Sequence, residues 1–326
     1  MNITRVTLVC LCAFLCAQAD DVLAQQKKQP PIKVGARLSD YKPPTRKQCT
    51  SLVPEQHATI AAALSAASNG DRICVGAGDW FEEDLVIAKN VTLSGIGFRD
   101  SARSRIANSC VQPQITCQGI YGLFVLAPNV TIEGFELYGP MTPFNGSNGV
   151  PVLIWSDVLN PNIVLRSNWL RPDSGSRAIH SDARDGLITL SNNIITANEY
   201  AYATVELGAA LVTDNTFDGI LAEGTWALSL RRPSSTVVRN NFTAVGNNIK
   251  DVDVCQTGSS SVTQFNIHMN NLAGGVVTSA GCGAFFNAEN NWWGDLDPSD
   301  NVFTNVSPIT DTIDFTPWAT APFPTR

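Results

Sequence analysis

Trp155, His180 and Glu206 occupy equivalent places in successive short phrases of this chain. The phrases are Leu153-Ile154-Trp155-Ser156-Asp157, Ala178-Ile179-His180-Ser181-Asp182, Thr204-Val205-Glu206-Leu207-Gly208 and Ala227-Leu228-Ser229-Leu230-Arg231. If they are strands stacked in register, Ile154, Ile179, Val205 and Leu228 face inward, and Trp155, His180, Glu206 and Ser229 face outward in one vertical row. Asp157, Asp182 and Arg231 then stand at the margin of that row, with Arg184, Asp185 and Arg232 just beyond. An imidazole set between carboxylates is a proton-transfer unit, so His180, Asp182, Glu206 and Asp157 are the candidate catalytic residues. An aromatic face beside guanidinium groups is what a sugar-binding groove uses, which makes Trp155, Arg184, Arg231 and Arg232 the candidate substrate contacts. The plainer reading is a solvated sheet face whose charges pair across rungs. A slip of one residue would turn every side chain over, so the site stands or falls with the register.

The elements that must hold such a row are visible as a repeat. An apolar residue, two others, an Asn, one residue and a second apolar residue recur as Leu165/Asn168/Leu170, Leu190/Asn193/Ile195, Val212/Asn215/Phe217, Val237/Asn240/Phe242 and Ile267/Asn270/Leu272, with Asn290 and Trp292 closing the series. A period of roughly 20 to 30 residues is the signature of a solenoid. The apolar phrases are short and β-branched, too short for helices, so each unit reads as two or three strands separated by bends. Stacking such units about 4.8 Å apart gives a parallel β-helix. The repeated Asn then has a physical role. Its side chain at a bend can bond to the next Asn and to backbone groups that the turn leaves unpaired.

Met1 to Ala19 has an early Arg5, an apolar run from Val6 to Ala17 and a small-x-small cleavage site, with a second site ending at Ala24. This predicts a secretory signal peptide, because the run falls short of the ~20 residues a membrane span needs. Residues 20–48 are rich in Lys and Pro and read as a flexible arm, with the β-helix domain over 49–326. Of nine Cys, three fall in the signal, leaving six for an oxidising compartment. Spacing suggests Cys49 with Cys74, Cys110 with Cys117 and Cys255 with Cys282, although six Cys allow 15 connectivities. With three His, three Met and no CxxC, no metal or other cofactor is evident. The net charge of -7 argues against nucleic acid or an anionic membrane as partner. Asn-x-Ser/Thr acceptors stand at Asn90, Asn129, Asn145, Asn241 and Asn305.

At Thr59 to Ala67 the sequence is a strong helix former, stopped by Asn69-Gly70, and it suits a lid over the first coil. Strands follow over Asp71 to Val75, Asp84 to Ile87 and Asn90 to Gly95, and Phe98 to Gln118 reads as an irregular insertion. Gly70-Asp71, Gly78-Asp79-Trp80-Phe81-Glu82 and Val91-Thr92-Leu93-Ser94-Gly95 resemble the opening of right-handed parallel β-helix proteins of the pectin-lyase-like superfamily. Asn290 to Asp300 and Asp314-Phe315-Thr316-Pro317-Trp318 resemble the Asn-x-Trp-Trp-Gly ending of many secreted or periplasmic β-helix repeat proteins. Trp292, Trp293 and Trp318 read as core and cap.

The resemblance implies an all-β, right-handed parallel β-helix with a short capping helix, a monomer secreted from the cell or held in the periplasm of a Gram-negative host. It implies function only loosely, since this fold carries lyases, hydrolases, esterases and binding proteins. Trp155-Ser156-Asp157 lacks the His that follows in pectate lyases, and Arg231-Arg232-Pro233 has Thr236 where their second Arg stands. The Asp phrases of polygalacturonases and the Gln-Asp-Thr-Leu phrase of pectin methylesterases are absent, as are the His or Met clusters that a copper-delivery role would need. Two expectations remain. One is a lyase- or hydrolase-like enzyme on acidic or matrix polysaccharide, with Ca²⁺ if it is a lyase; the other is a non-catalytic glycan-binding or structural wall protein.

Overall fold

Among the described residues, twenty-eight short strands wind into three parallel sheets of eleven, nine and eight strands, the walls of a right-handed parallel β-helix. The computed structural model describes residues 31–82, 84–97, 102–107, 121–139, 150–154, 161–172, 177–181, 186–197, 203–219, 226–230, 235–243, 250–254, 264–272, 276–278, 285–294, 302–304 and 312–326. The coils from Arg72 to Thr278 visit the walls in the same order. Ile163–Arg166 lies in the eleven-stranded sheet, Trp169–Arg171 in the eight-stranded sheet and Ile179–Ser181 in the nine-stranded sheet, before Leu187–Ser191 begins the next rung of the first. Inward residues pair like with like: Ile163 with Ile188, Leu190 with Val212, Ile195 with Phe217. Phe217 and Phe242 stack at 4.5 Å, so the core is a set of vertical apolar columns.

The bend between the eleven- and eight-stranded sheets is built by the Asn repeat. Asn168, Asn193, Asn215, Asn240, Asn270 and Asn291 are fully buried, and each except the last takes the next Asn's Oδ1 on its backbone N–H at 2.8–2.9 Å. The side-chain Nδ2 donates to the same oxygen and to carbonyls of the turn, as Asn193 does to Leu165 and Ser191. The residue before each ladder Asn (Ser167, Asn192, Asp214, Arg239, Met269, Asn290) has positive φ, between 54 and 59. A left-handed non-Gly residue costs about 1 kcal/mol or more, and the ladder supplies the bonds that hold it. The last unit corrects the sequence reading by one residue. Asn291, not Asn290, joins the ladder, and the fully buried Trp293, not Trp292, fills the following apolar place.

The first coil is closed by the helix Ile60–Ala66, which turns Ile60, Ala63 and Leu64 onto the core. Thr59 caps it through the Ala62 N–H, and Glu82 accepts from the N–H groups of Ile60 and Ala61 at 2.7 and 2.8 Å. The acid of the Gly-x-Trp-x-Glu phrase thus satisfies orphan donors at a positive helix end. At the other end Trp318 and Phe315 pack against the core, in keeping with the cap reading.

Phe98 to Gln118 is not irregular throughout: Ser104–Ala107 is a full rung of the eight-stranded sheet, between Gly78–Phe81 and Phe135–Tyr138. Ser-Arg-Ile-Ala lacks the apolar alternation that marks the other strands. Residues 33–48, expected within a flexible arm, form a strap along the Asn bend. Val34 pairs with Thr325, Gly35 donates to the Arg239 carbonyl, Ala36 to Thr216 and Arg37 to Asn192. Tyr41 is buried, with its hydroxyl donating to the Gly95 carbonyl and its ring where any Cβ on Gly134, at φ +76, would stand. Backbone donors and one aromatic ring, not an apolar period, hold this segment, so periodicity could not show it.

The Cys49–Cys74 disulfide ties the end of the strap to the first rungs. It spans 25 residues, and closing such a loop in the unfolded chain stabilises by about 3 kcal/mol. The double variant Cys49→Ser, Cys74→Ser is expected to lose about that much in chemical denaturation; a loss under ~1 kcal/mol would mean the strap holds without it. Cys110, Cys117, Cys255 and Cys282 lie outside the described residues. Of the glycosylation acceptors, Asn241 is closed: it is buried and bonded to Asn271.

The C-terminal tail meets the strap at an ion-pair cluster. Arg239 and Arg326 reach Asp214 at 2.7 and 2.8 Å. Burial pushes the Asp214 carboxyl up, but hydrogen bonds from Arg239 and Thr213 and the charges of Arg239 and Arg326 outweigh it, so the net shift is downward. A carboxyl depressed in the folded state adds stability above its ordinary value, near 4, and loses it as pH falls through the folded value. Asp214→Asn should lower stability at pH 7 and flatten its fall below pH ~4; denaturation midpoints at pH 7 and pH 3 check both.

Candidate functional site

His180 and Glu206 are register partners on adjacent rungs of the nine-stranded sheet, and Ser229 follows Glu206. Ile179, Val205 and Leu228 form the buried inward column beside them, so alternation places the three polar residues on the outer face. The register with the preceding strand differs from the sequence alignment by two residues. Leu153, not Trp155, stands opposite His180, and Ile154 pairs with Ser181. The shift follows from the strand before, where Val152 meets Leu123 and Ile154 meets Val125. A shift of two preserves the faces, so the row survives with a different member. The observed sequence of register positions is Val86, Phe124, Leu153, His180, Glu206, Ser229, Asp253, Val277, Phe303. Asp253 was not anticipated; its phrase Lys250–Val254 alternates charge with Val and could have been aligned with Trp226–Leu230.

The row is not an open solvated face. Glu206 is fully buried, and Leu153, Thr204, Ala227 and Ser229 are buried as well. Arg177, two residues before the strand Ile179–Ser181, supplies the charge that permits this. Its Nη1 lies 2.7 Å from Glu206 Oε2, and His180 Nδ1 lies 3.0 Å from the same oxygen. Nη1 also stands 3.0 Å from Nδ1, which cannot accept from Arg177 and donate to Glu206 at once. The carboxylate is the stronger acceptor. The Nδ1–H tautomer donating to Oε2 follows, with the lone pair on Nε2. The His180 side chain keeps 14% of its surface exposed, against 1% for Glu206. The arrangement can orient an imidazole for proton transfer and present a partly exposed cation–imidazole pair to an anionic ligand.

Trp155, Asp157, Asp182, Arg184, Arg231 and Arg232 lie outside the described residues, so of the candidate residues the structure brings together His180 and Glu206. Arg177 was missed because it precedes its strand in a loop phrase with no periodicity. Among the described residues no group of three or more His, Cys, Asp or Glu is placed to hold a metal ion, and no helix is long and apolar enough to cross a membrane.

Among the described residues each wall carries one buried glutamate, met by one arginine at Glu206 and by two or more at Glu133 and Glu136. Glu206 serves the nine-stranded sheet, Glu133 the eleven-stranded sheet and Glu136 the eight-stranded sheet. Glu136 meets Arg103 at 2.8 Å and Arg171 at 2.9 Å; Arg171 also lies over Trp169, and Arg105 over Tyr138, both at 4.8 Å. Carboxylates in the apolar strands of Ile132-Glu133-Gly134-Phe135-Glu136 were the sequence signal for two of the three.

No family model matches the chain, and no curated protein matches it. Among solved structures, the rice weevil pectin methyl esterase aligns over 82% of this chain and 84% of its own, at 13% identity and a TM-score of 0.47. The deglycosylated pectin methylesterase of Aspergillus niger covers 86% and 88% at 10% identity, TM-score 0.49, and Escherichia coli YbhC 85% and 82% at 11%, TM-score 0.48. The likeness is one of distant overall shape and carries no argument for activity.

Proposed function

We propose that this chain is an extracellular β-helix protein that binds an acidic polysaccharide at the partly exposed Arg177–His180 pair on the outer side of its nine-stranded sheet, with His180 placed to move a proton in its cleavage. The observation that supports the reading is the Arg177–His180–Glu206 cluster. It puts a cation and a carboxylate-oriented imidazole together on one rung pair, each with part of its side chain open to an anionic ligand. Asp157, Asp182, Arg184, Arg231 and Arg232 belong to the same proposal as marginal acid and base groups and contacts, with Trp155 as a stacking face. If the cleavage is by elimination, Ca²⁺ is the cation that neutralises the uronate carboxylate.

One observation favours the non-catalytic reading: Glu206 is buried and already engaged by Arg177, which suits a fixed binding wall. Incubating the purified protein with pectins, alginates, glycosaminoglycans and neutral glucans, with and without Ca²⁺, separates the two. Unsaturated uronates, new reducing ends or released methanol from an acidic substrate, lost in His180→Ala, support the catalytic reading. Retention on an acidic glycan without product supports the binding protein. Neither product nor retention on any acidic glycan sinks both.

A further inference from the structure

We infer that a second anionic-sugar site lies under the strap, on the eleven-stranded wall. A cleft of about 570 Å³ opens there between Tyr41, Lys42, Pro43 and Pro44 of the strap and Arg72 and Arg166 of the sheet. Its volume falls within the roughly 300–1,000 Å³ of small-ligand pockets.

The charge of the cleft follows from its floor. The Glu133 side chain is 3% exposed and accepts from Arg72 Nη1 and Ser94 Oγ at 2.7 Å each on Oε1, and from Arg166 Nε at 2.6 Å on Oε2. One carboxylate thus anchors two guanidinium groups, which remain 31% and 49% exposed and are held by the buried acid in fixed orientations toward the cleft. Lys42 adds a third cation at the exposed rim, whereas Asp40 is engaged by Arg37 at 3.4 Å. The lining is therefore net positive in a chain of net charge -7. Two adjacent prolines and the buried Tyr41 give the opposite wall an apolar, rigid surface, suited to the C–H face of a pyranose. Pre-oriented guanidinium groups facing an apolar wall fit a sugar ring bearing a carboxylate or sulfate. The ligand class rests on the acidic-glycan reading above, but the site is on another wall and involves none of its residues.

Calorimetric titration with trigalacturonate, its neutral methyl ester and a sulfated chondroitin disaccharide tests this, with Arg side-chain Nε–H and His imidazole resonances followed on the same samples. The expected result is saturable binding of at least one acidic sugar that shifts the Arg72 and Arg166 signals, weakened at least tenfold by Lys42→Glu and undetectable for the methyl ester. Lys42 is exposed, so that variant is expected to fold and to keep any activity at His180. Carboxylate or sulfate preference identifies which anion the cleft takes. Unmoved Arg72 and Arg166 signals with both acidic sugars, or equal binding of the methyl ester, overturns the inference. A shift confined to His180 would do so while leaving the nine-stranded wall as the binding face, and a shift confined to the two arginines would do the reverse.

Discussion

Replacing Asn215 by alanine is expected to cost about 4–6 kcal/mol, as for its ladder neighbours Asn193 and Asn240, which make the same set of bonds. Asn215 is fully buried, and its Oδ1 accepts from the backbone and side chain of Asn193 at 2.9 and 3.0 Å. Its Nδ2 donates to the Leu190 and Thr213 carbonyls and to Asn240 Oδ1. Alanine removes every one of these partners at once and admits no replacement, and each orphaned buried group costs about 1–3 kcal/mol. The strained residue beside it, Asp214 at φ 59, loses its brace in the same step. Denaturant unfolding would read the loss. Thr189→Ala, on a half-buried outward position of the neighbouring rung, should cost under ~1 kcal/mol. A similar small loss for Asn215→Ala would mean that the ladder is decoration and that apolar stacking alone sets the bend.

Arg177→Ala is expected to destabilise by about 3–5 kcal/mol, because removing one partner of a buried pair leaves the other charge in a dry site. The guanidinium it deletes lies 2.7 Å from a carboxylate that is 1% exposed. Adding Glu206→Gln to the same chain should recover part of the loss, since the buried group is then neutral, and the four proteins form a double-mutant cycle. A loss below ~1 kcal/mol for the single variant, or no recovery in the double, would show that Glu206 is neutralised by some other group and that Arg177 is dispensable to the cluster.

The parts of the molecule that were legible in its sequence are those governed by periodicity. The Asn positions and the apolar columns announced the β-helix, because one coil must present the same residue type at the same bend as the next. The step from Asn270 to the last coil was misread by one residue because Asn290 and Asn291 are adjacent and only hydrogen bonding distinguishes the ladder member from the left-handed residue before it. Parity within a strand was equally secure, so His180 and Glu206 fell on one face as alternation requires. Register with Val150–Ile154 was not, since Val152 and Ile154 are both apolar and either could face Ile179. Burial of Glu206 was invisible for a different reason. It depends on Arg177, and no local pattern says that a loop arginine will neutralise an acid 29 positions away. The strap likewise owes its place to backbone donors and to Tyr41 lying over Gly134, contacts between segments some 90 residues apart.

An acidic glycan bound as proposed lies against His180, and the imidazole itself is the most direct witness. Long-range ¹H–¹⁵N spectra of the histidine ring, recorded as oligogalacturonate, alginate oligomers and a neutral glucan oligomer are added in turn, report both tautomer and contact. The predicted result is an Nδ1–H tautomer in the free protein, and ring resonances that move saturably with an acidic oligomer and stay still with the neutral one. An Nε2–H tautomer would contradict the orientation by Glu206. A ring unmoved by every acidic oligomer would contradict the placement of the glycan on this wall.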